Sequence, residues 1–145
     1  METTAARLYG KRDLRLEKFE LPEIKDDEIL ARVISDSICM SSYKAAEQGA
    51  DHKRVPDNVA ENPVIIGHEF CGELVKVGAD WADQYKEGEK FVIQPALNYQ
   101  GSLNAPGYSY QYIGGAATYI IIPKEVMIMN CLLPYDGDSW FAGSL

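Results

Sequence analysis

Two short segments of this chain hold side chains that can bind a metal: Cys39-Met40-Ser41-Ser42 and Gly67-His68-Glu69. A cysteine sulfur and a histidine nitrogen are both zinc ligands, and a carboxylate such as Glu69 can complete or exchange within the same site. Cys39 and His68 are far apart in sequence, so a fold must bring them together. On residue type and spacing alone, a buried structural role is the commoner fate for each of them. A third candidate is His52-Lys53-Arg54, where Lys and Arg suit a phosphate anion. The plainer reading of that stretch is a solvated loop. Cys71 and Cys131 read as small buried fillers, and three scattered cysteines form neither a disulfide framework nor a CxxC knuckle. Tyr108, Tyr110 and Tyr112 suit a strand face or a pocket wall equally. Trp81 and Tyr85 suit a helical packing pair.

The elements that must position these groups are mostly short strands. Ala6 to Tyr9 and Leu14 to Phe19 flank a turn-like Gly10-Lys11-Arg12-Asp13, which predicts a hairpin. Glu28 to Ile34 predicts a strand that runs into Ile38-Cys39. Ser41 to Glu47 predicts a short helix, with Ser41 or Ser42 as its cap and Gly49 at its end. Residues 49 to 62 are polar, carry Pro56 and predict a long exposed loop, a kind of segment that often has a function. Strands are expected at Val64-Ile65-Ile66, Phe70 to Val77, Lys90 to Gln94, Thr118 to Ile122 and Val126 to Met129. Asn98 to Gly115 is rich in Gly, Pro, Asn and Tyr and predicts irregular loops. Near the end, Asp138 or Ser139 reads as the cap of a helix running on from Trp140. Many short strands with little helix indicate a mainly β, barrel-like domain.

Several runs resemble, in order, the motifs of zinc-dependent medium-chain alcohol and polyol dehydrogenases. PVIIGHEFCGELVKVG (63–78) resembles the family's glycine-rich zinc signature, and SICMSS (37–42) its first catalytic-zinc segment. EGEKFV (87–92) resembles its GDRV strand and GGAATYIIIP (114–123) its GGFAEY segment. Together the matches cover nearly the whole chain. The resemblance implies a GroES-like β-barrel with a few short helices over residues 1–145, ending before a nicotinamide-binding domain. It implies Cys39 and His68 as zinc ligands, Glu69 beside the metal as ligand or holder of a bound water, and Ser41 as the hydroxyl of a proton relay. It also implies a further ligand, a glutamate in the polyol branch, on the helix beyond Leu145. Finer texture in residues 9–17, 36–42, 48–53 and 106–110 resembles bacterial reductases of sugar phosphates.

Three departures stand out. Met40 replaces the family's glycine. Ser42 stands where an aspartate is usual, which removes an expected orienting contact behind the zinc ligands. No cysteine lies between Gln94 and Tyr112, so the family's four-cysteine structural zinc lobe is absent.

The expected activity is hydride transfer between NAD(P)(H) and a small polyol or sugar phosphate, catalysed by the full-length parent, with zinc as the metal cofactor. No glycine-rich dinucleotide fingerprint follows a strand, so these residues alone should be inactive and hold no nicotinamide. The rival reading is a non-catalytic GroES-like binding module. A metal-free quinone-reductase-like relative is a further alternative, and it would normally lack the Cys and His ligands. With 14 basic against 22 acidic residues and a net charge of -8, the chain lacks the basic surface that nucleic-acid binding needs. It has no apolar signal core and no run of about 20 apolar residues, which implies a cytoplasmic protein with no membrane partner. A homo-oligomeric parent is expected.

Overall fold

The computed structural model describes residues 1–138. In chain order the elements are β1 (Glu2–Gly10), β2 (Asp13–Glu20), β3 (Ile29–Asp36), α1 (Met40–Gln48), β4 (Val64–Ile65), β5 (Phe70–Val77), β6 (Lys90–Ile93), β7 (Tyr119–Ile122), α2 (Lys124–Ile128) and β8 (Leu132–Pro134). They form two antiparallel sheets, one ordered β2-β1-β4 and the other β7-β3-β5-β6-β8. A bridge between Ala5 and Ala117, with backbone bonds from Ala6 N to Ala116 O and from Thr118 N to Thr4 O, joins the sheets edge to edge. This is the mainly β architecture with few short helices expected from the sequence.

In β1, Thr3 and Ala5 alternate inward, while Leu8, on the opposite phase, is buried in a second cluster with Val55, Val59 and Tyr108. Thr3 is polar, but its hydroxyl donates to the Tyr119 carbonyl at 2.7 Å, so its burial leaves no unpaired donor. The larger sheet closes over Ile29, Ala31, Phe70, Leu74, Phe91, Ile120 and Ile122. The rings of Phe70 and Phe91 meet edge to face at 6.3 Å.

Four expectations are corrected. Val126 to Met129 is not a strand. Most of it lies in α2, which follows Pro123 at its N-cap and buries Val126 and Met127. An apolar run this short satisfies either period, and the proline at the cap decides for the helix. Ser41 and Ser42 do not cap α1; Cys39 is the N-cap and both serines lie inside the helix, while Gly49 ends it as expected, with φ 53°. Residues 49–62 are not simply solvated, because Val55 and Val59 are buried with Leu8, Ala45 and Tyr108 in a second cluster. Trp81 and Tyr85 do pack edge to face, 6.5 Å apart, but not on a regular helix: Trp81 ends a 3-10 turn (Ala79–Trp81) and Tyr85 follows in the turn beyond it, its N bonding the Trp81 carbonyl. The helix expected from Trp140 lies outside the described residues.

Candidate metal centre

The end of β3 carries the chain into the turn that delivers Cys39. Ser37 N donates to the Glu69 carbonyl at 2.8 Å, which clamps this turn to the Gly67-His68-Glu69 segment. On the other side, Gly115 N donates to the Gly67 carbonyl at 2.7 Å. Gly107 has φ +85°, and a Cβ there would fall 2.2 Å from the Gly67 carbonyl oxygen and 2.6 Å from His68 N. The peptide before His68 is thus held between three backbone segments, and one of them approaches so closely that only glycine fits.

These constraints bring the side chains together. Ligand atoms of Cys39, His68 and Glu69 all lie within 4.8 Å of one another. His68 Nε2 is 3.3 Å from Glu69 Oε1 and 3.4 Å from Ser41 Oγ, and Ser41 Oγ is 3.0 Å from Cys39 Sγ. Burial holds the His68 imidazole below its usual pKa; Glu69 opposes this and the Arg54 charge adds to it. The ring is therefore neutral at pH 7, with a lone pair to donate.

Tyr108 and Asp36 also belong to this site, and sequence reasoning did not single out either for it. The Tyr108 ring stacks on His68 at 5.0 Å and on His52 at 5.4 Å. It is the pocket wall rather than the strand face of the two options the tyrosine spacing allowed. Among the described residues His68 Nδ1 and Ser42 Oγ are buried with no hydrogen-bond partner. The orienting contact that Ser42 was expected to forfeit is therefore missing, and the Tyr108 stack fixes the imidazole plane in its place.

Asp36 ends β3 with its carboxylate against backbone: a Cβ on Gly115 would fall 2.0 Å from its Oδ1. Desolvation, then the nearby Glu69 charge, push this carboxyl up to about 7, against a hydrogen bond from Ser37 N. The unfolded chain would ionise it near pH 4. Between these values only the folded state keeps the proton, so this contribution is complete below about pH 4 and is lost as pH rises through about 7. The residue is exposed by surface area although its carboxyl packs against backbone, so solvent screens much of this effect and it should not exceed about 1 kcal/mol. Asp36→Asn should flatten the fall in stability between pH 4 and pH 8 by up to that amount in denaturant titrations. Identical slopes for the two proteins would contradict this assignment.

Residues 25–132 match the model of the alcohol dehydrogenase GroES-like domain. The chain belongs to this family. It is 59% identical to L-sorbose 1-phosphate reductase of Klebsiella pneumoniae over 99% of its length, and 51% identical to mannitol-1-phosphate 5-dehydrogenase of Aliivibrio fischeri over 99%. It covers 35% and 34% of those proteins, about a third of each. Among solved structures, 2R,3R-butanediol dehydrogenase from Bacillus subtilis superposes with TM-score 0.73 at 26% identity, over 99% of this chain and 43% of that one. A cobalt- and zinc-bound alcohol dehydrogenase from Pyrobaculum aerophilum superposes with TM-score 0.75 at 22% identity, over 100% and 45%; that likeness concerns the fold alone. No helix among the described residues is long and apolar enough to cross a membrane.

Proposed function

We propose that this chain is the metal-holding, substrate-facing domain of a zinc-dependent, NAD(P)-linked dehydrogenase of polyols or sugar phosphates, with L-sorbose 1-phosphate and D-glucitol 6-phosphate as the favoured substrate pair. The observation that carries the reading is the convergence of Cys39, His68 and Glu69 within 4.8 Å beside the Ser41 hydroxyl. The substrate pair rests on the likeness to the Klebsiella reductase.

The donor set fits zinc. One sulfur, one neutral imidazole and one carboxylate are its ordinary ligands, and ligands on a tetrahedral zinc lie roughly 3.5 Å apart. The separations here are of that order, within a small closure of side chains. The chemistry zinc supplies when bound is Lewis acidity, by which a carbonyl is polarised or an alcohol made easier to deprotonate. His68 and Cys39 hold and orient. Glu69, tied to His68 along the backbone and 38% exposed, can swing towards the metal position or away from it. Ser41 Oγ bridges Cys39 and His68, so it is placed to hold the proton of a substrate hydroxyl. The Tyr108 ring keeps bulk water from one face of His68.

A protein that joins this chain to a nicotinamide-binding domain should oxidise D-glucitol 6-phosphate with NAD(P) and lose that activity on chelation. Residues 1–145 alone should bind no NADH by calorimetry. Chelator-resistant turnover, or saturable NADH binding to this chain alone, would contradict the proposal.

A further inference from the structure

The chain has five arginines. Four of them face a carboxylate: Arg7 with Glu17, Arg12 with Glu47, Arg15 with Asp13 and Arg32 with Glu73. Among the described residues Arg54 has no carboxylate within ion-pair distance, although acids outnumber bases in this chain. Its guanidinium donates once, from Nη1 to the Leu103 carbonyl at 2.7 Å, which holds the fork in place and leaves its other N–H groups free. Its backbone is fixed as well. Arg54 N donates to His52 Nδ1 at 3.1 Å, and the Ser109 hydroxyl donates to the Arg54 carbonyl.

This pinned cation stands beside the metal site. His52 stacks on Tyr108 with planes 8° apart, and Tyr108 stacks on His68, so a ladder of three rings links the Arg54 loop to the proposed ligand. The Arg54 charge reaches both rings: it adds to the lowering at His68 and opposes the rise that burial causes at Tyr108. His52 is held neutral by burial and by the neighbouring Arg54 and Lys53 charges. Since its Nδ1 accepts from Arg54 N, its proton sits on Nε2, a second donor in the same loop.

We propose that Arg54 is the phosphate-recognising residue of the substrate site, with His52 Nε2–H as an auxiliary donor, and that it selects phosphorylated polyols over free ones. The proposal rests on the dehydrogenase reading above and specifies its substrate class. A dianionic ester approaching a chain of net charge -8 needs a local cation, and an arginine already spent on a carboxylate would serve poorly. Lys53, exposed on the same loop, lacks the fixed fork and is not assigned a part.

The test uses the zinc-saturated chain, titrated with D-glucitol 6-phosphate, D-glucitol and inorganic phosphate, with calorimetry and the arginine Nε–Hε resonances as readouts. D-Glucitol 6-phosphate should shift the Arg54 resonance and bind more tightly than D-glucitol. Arg54→Gln should weaken the phosphate ester roughly ten- to a hundredfold and leave D-glucitol unchanged. Lys53→Gln should leave both unchanged. Equal affinity of the phosphate ester for Arg54→Gln and the unaltered chain, or equal affinity for ester and free polyol, would overturn the proposal. A cobalt(II) thiolate band from Cys39 separates the two readings: with the band present, failed discrimination refutes the Arg54 assignment alone, and without the band the metal reading itself fails.

Discussion

Alanine at position 107 should cost this domain on the order of 3–5 kcal/mol, a fall in Tm of roughly 10–15 °C. Two penalties combine. An L-residue at φ +85° is held in the left-handed region, worth about 1–2 kcal/mol. The larger part is steric: the new methyl would fall 2.2 Å from the Gly67 carbonyl oxygen and 2.6 Å from His68 N, both backbone atoms that cannot rotate away. Either the 106–108 loop or the His68 peptide must move, and both carry the site, since Tyr108 follows Gly107 directly. Gly101 provides the comparison, because it has φ +77° with nothing within 4 Å of its would-be Cβ. Gly101→Ala should cost only the conformational part, about 1 kcal/mol. Equal melting shifts for the two variants would show that the close approach at Gly107 is not what makes it necessary.

The second large effect concerns metal affinity. Zinc should bind residues 1–145 weakly, because the family resemblance implies one more ligand than Cys39, His68 and Glu69 supply. His68→Ala or Cys39→Ala should weaken it further by roughly a hundred- to a thousandfold, measured by competition with a chromophoric chelator. Glu69→Gln should cost much less, since its partly exposed carboxylate is an auxiliary. Stoichiometric zinc retained in both the His68→Ala and the Cys39→Ala variants would remove the basis of the proposed site.

What the sequence made legible follows from how local each signal is. Phe70–Val77 is a strand at both expected ends because glycines bracket a β-rich run. The helix after Cys39 was legible from Gly49 at its end, but its cap was not, because capping depends on the backbone angles at Cys39, which residue types alone do not display. The run 126–129 was misread because four apolar residues carry no period of their own. Cys39, His68, Glu69 and Ser41 could be named from ordered motifs before any geometry. Tyr108 could not be assigned to the site, since its role comes from two ring contacts made across the fold. Asp36 carries no motif, and its carboxyl is raised by desolvation and by the nearby Glu69 charge, neither of which a local run of sequence displays. The Lys53-Arg54 loop was legible as a candidate cradle, but the choice between the two cations depends on where the acids of the folded chain lie.

In the proposed site Cys39 and His68 hold one zinc between them. X-ray absorption at the zinc edge of the metal-loaded chain tests this most directly. A single sulfur at about 2.3 Å is expected, with nitrogen and oxygen neighbours at about 2.0–2.2 Å and loss of the sulfur shell in Cys39→Ser. A shell of nitrogen and oxygen alone, or a sulfur shell that survives Cys39→Ser, would contradict it.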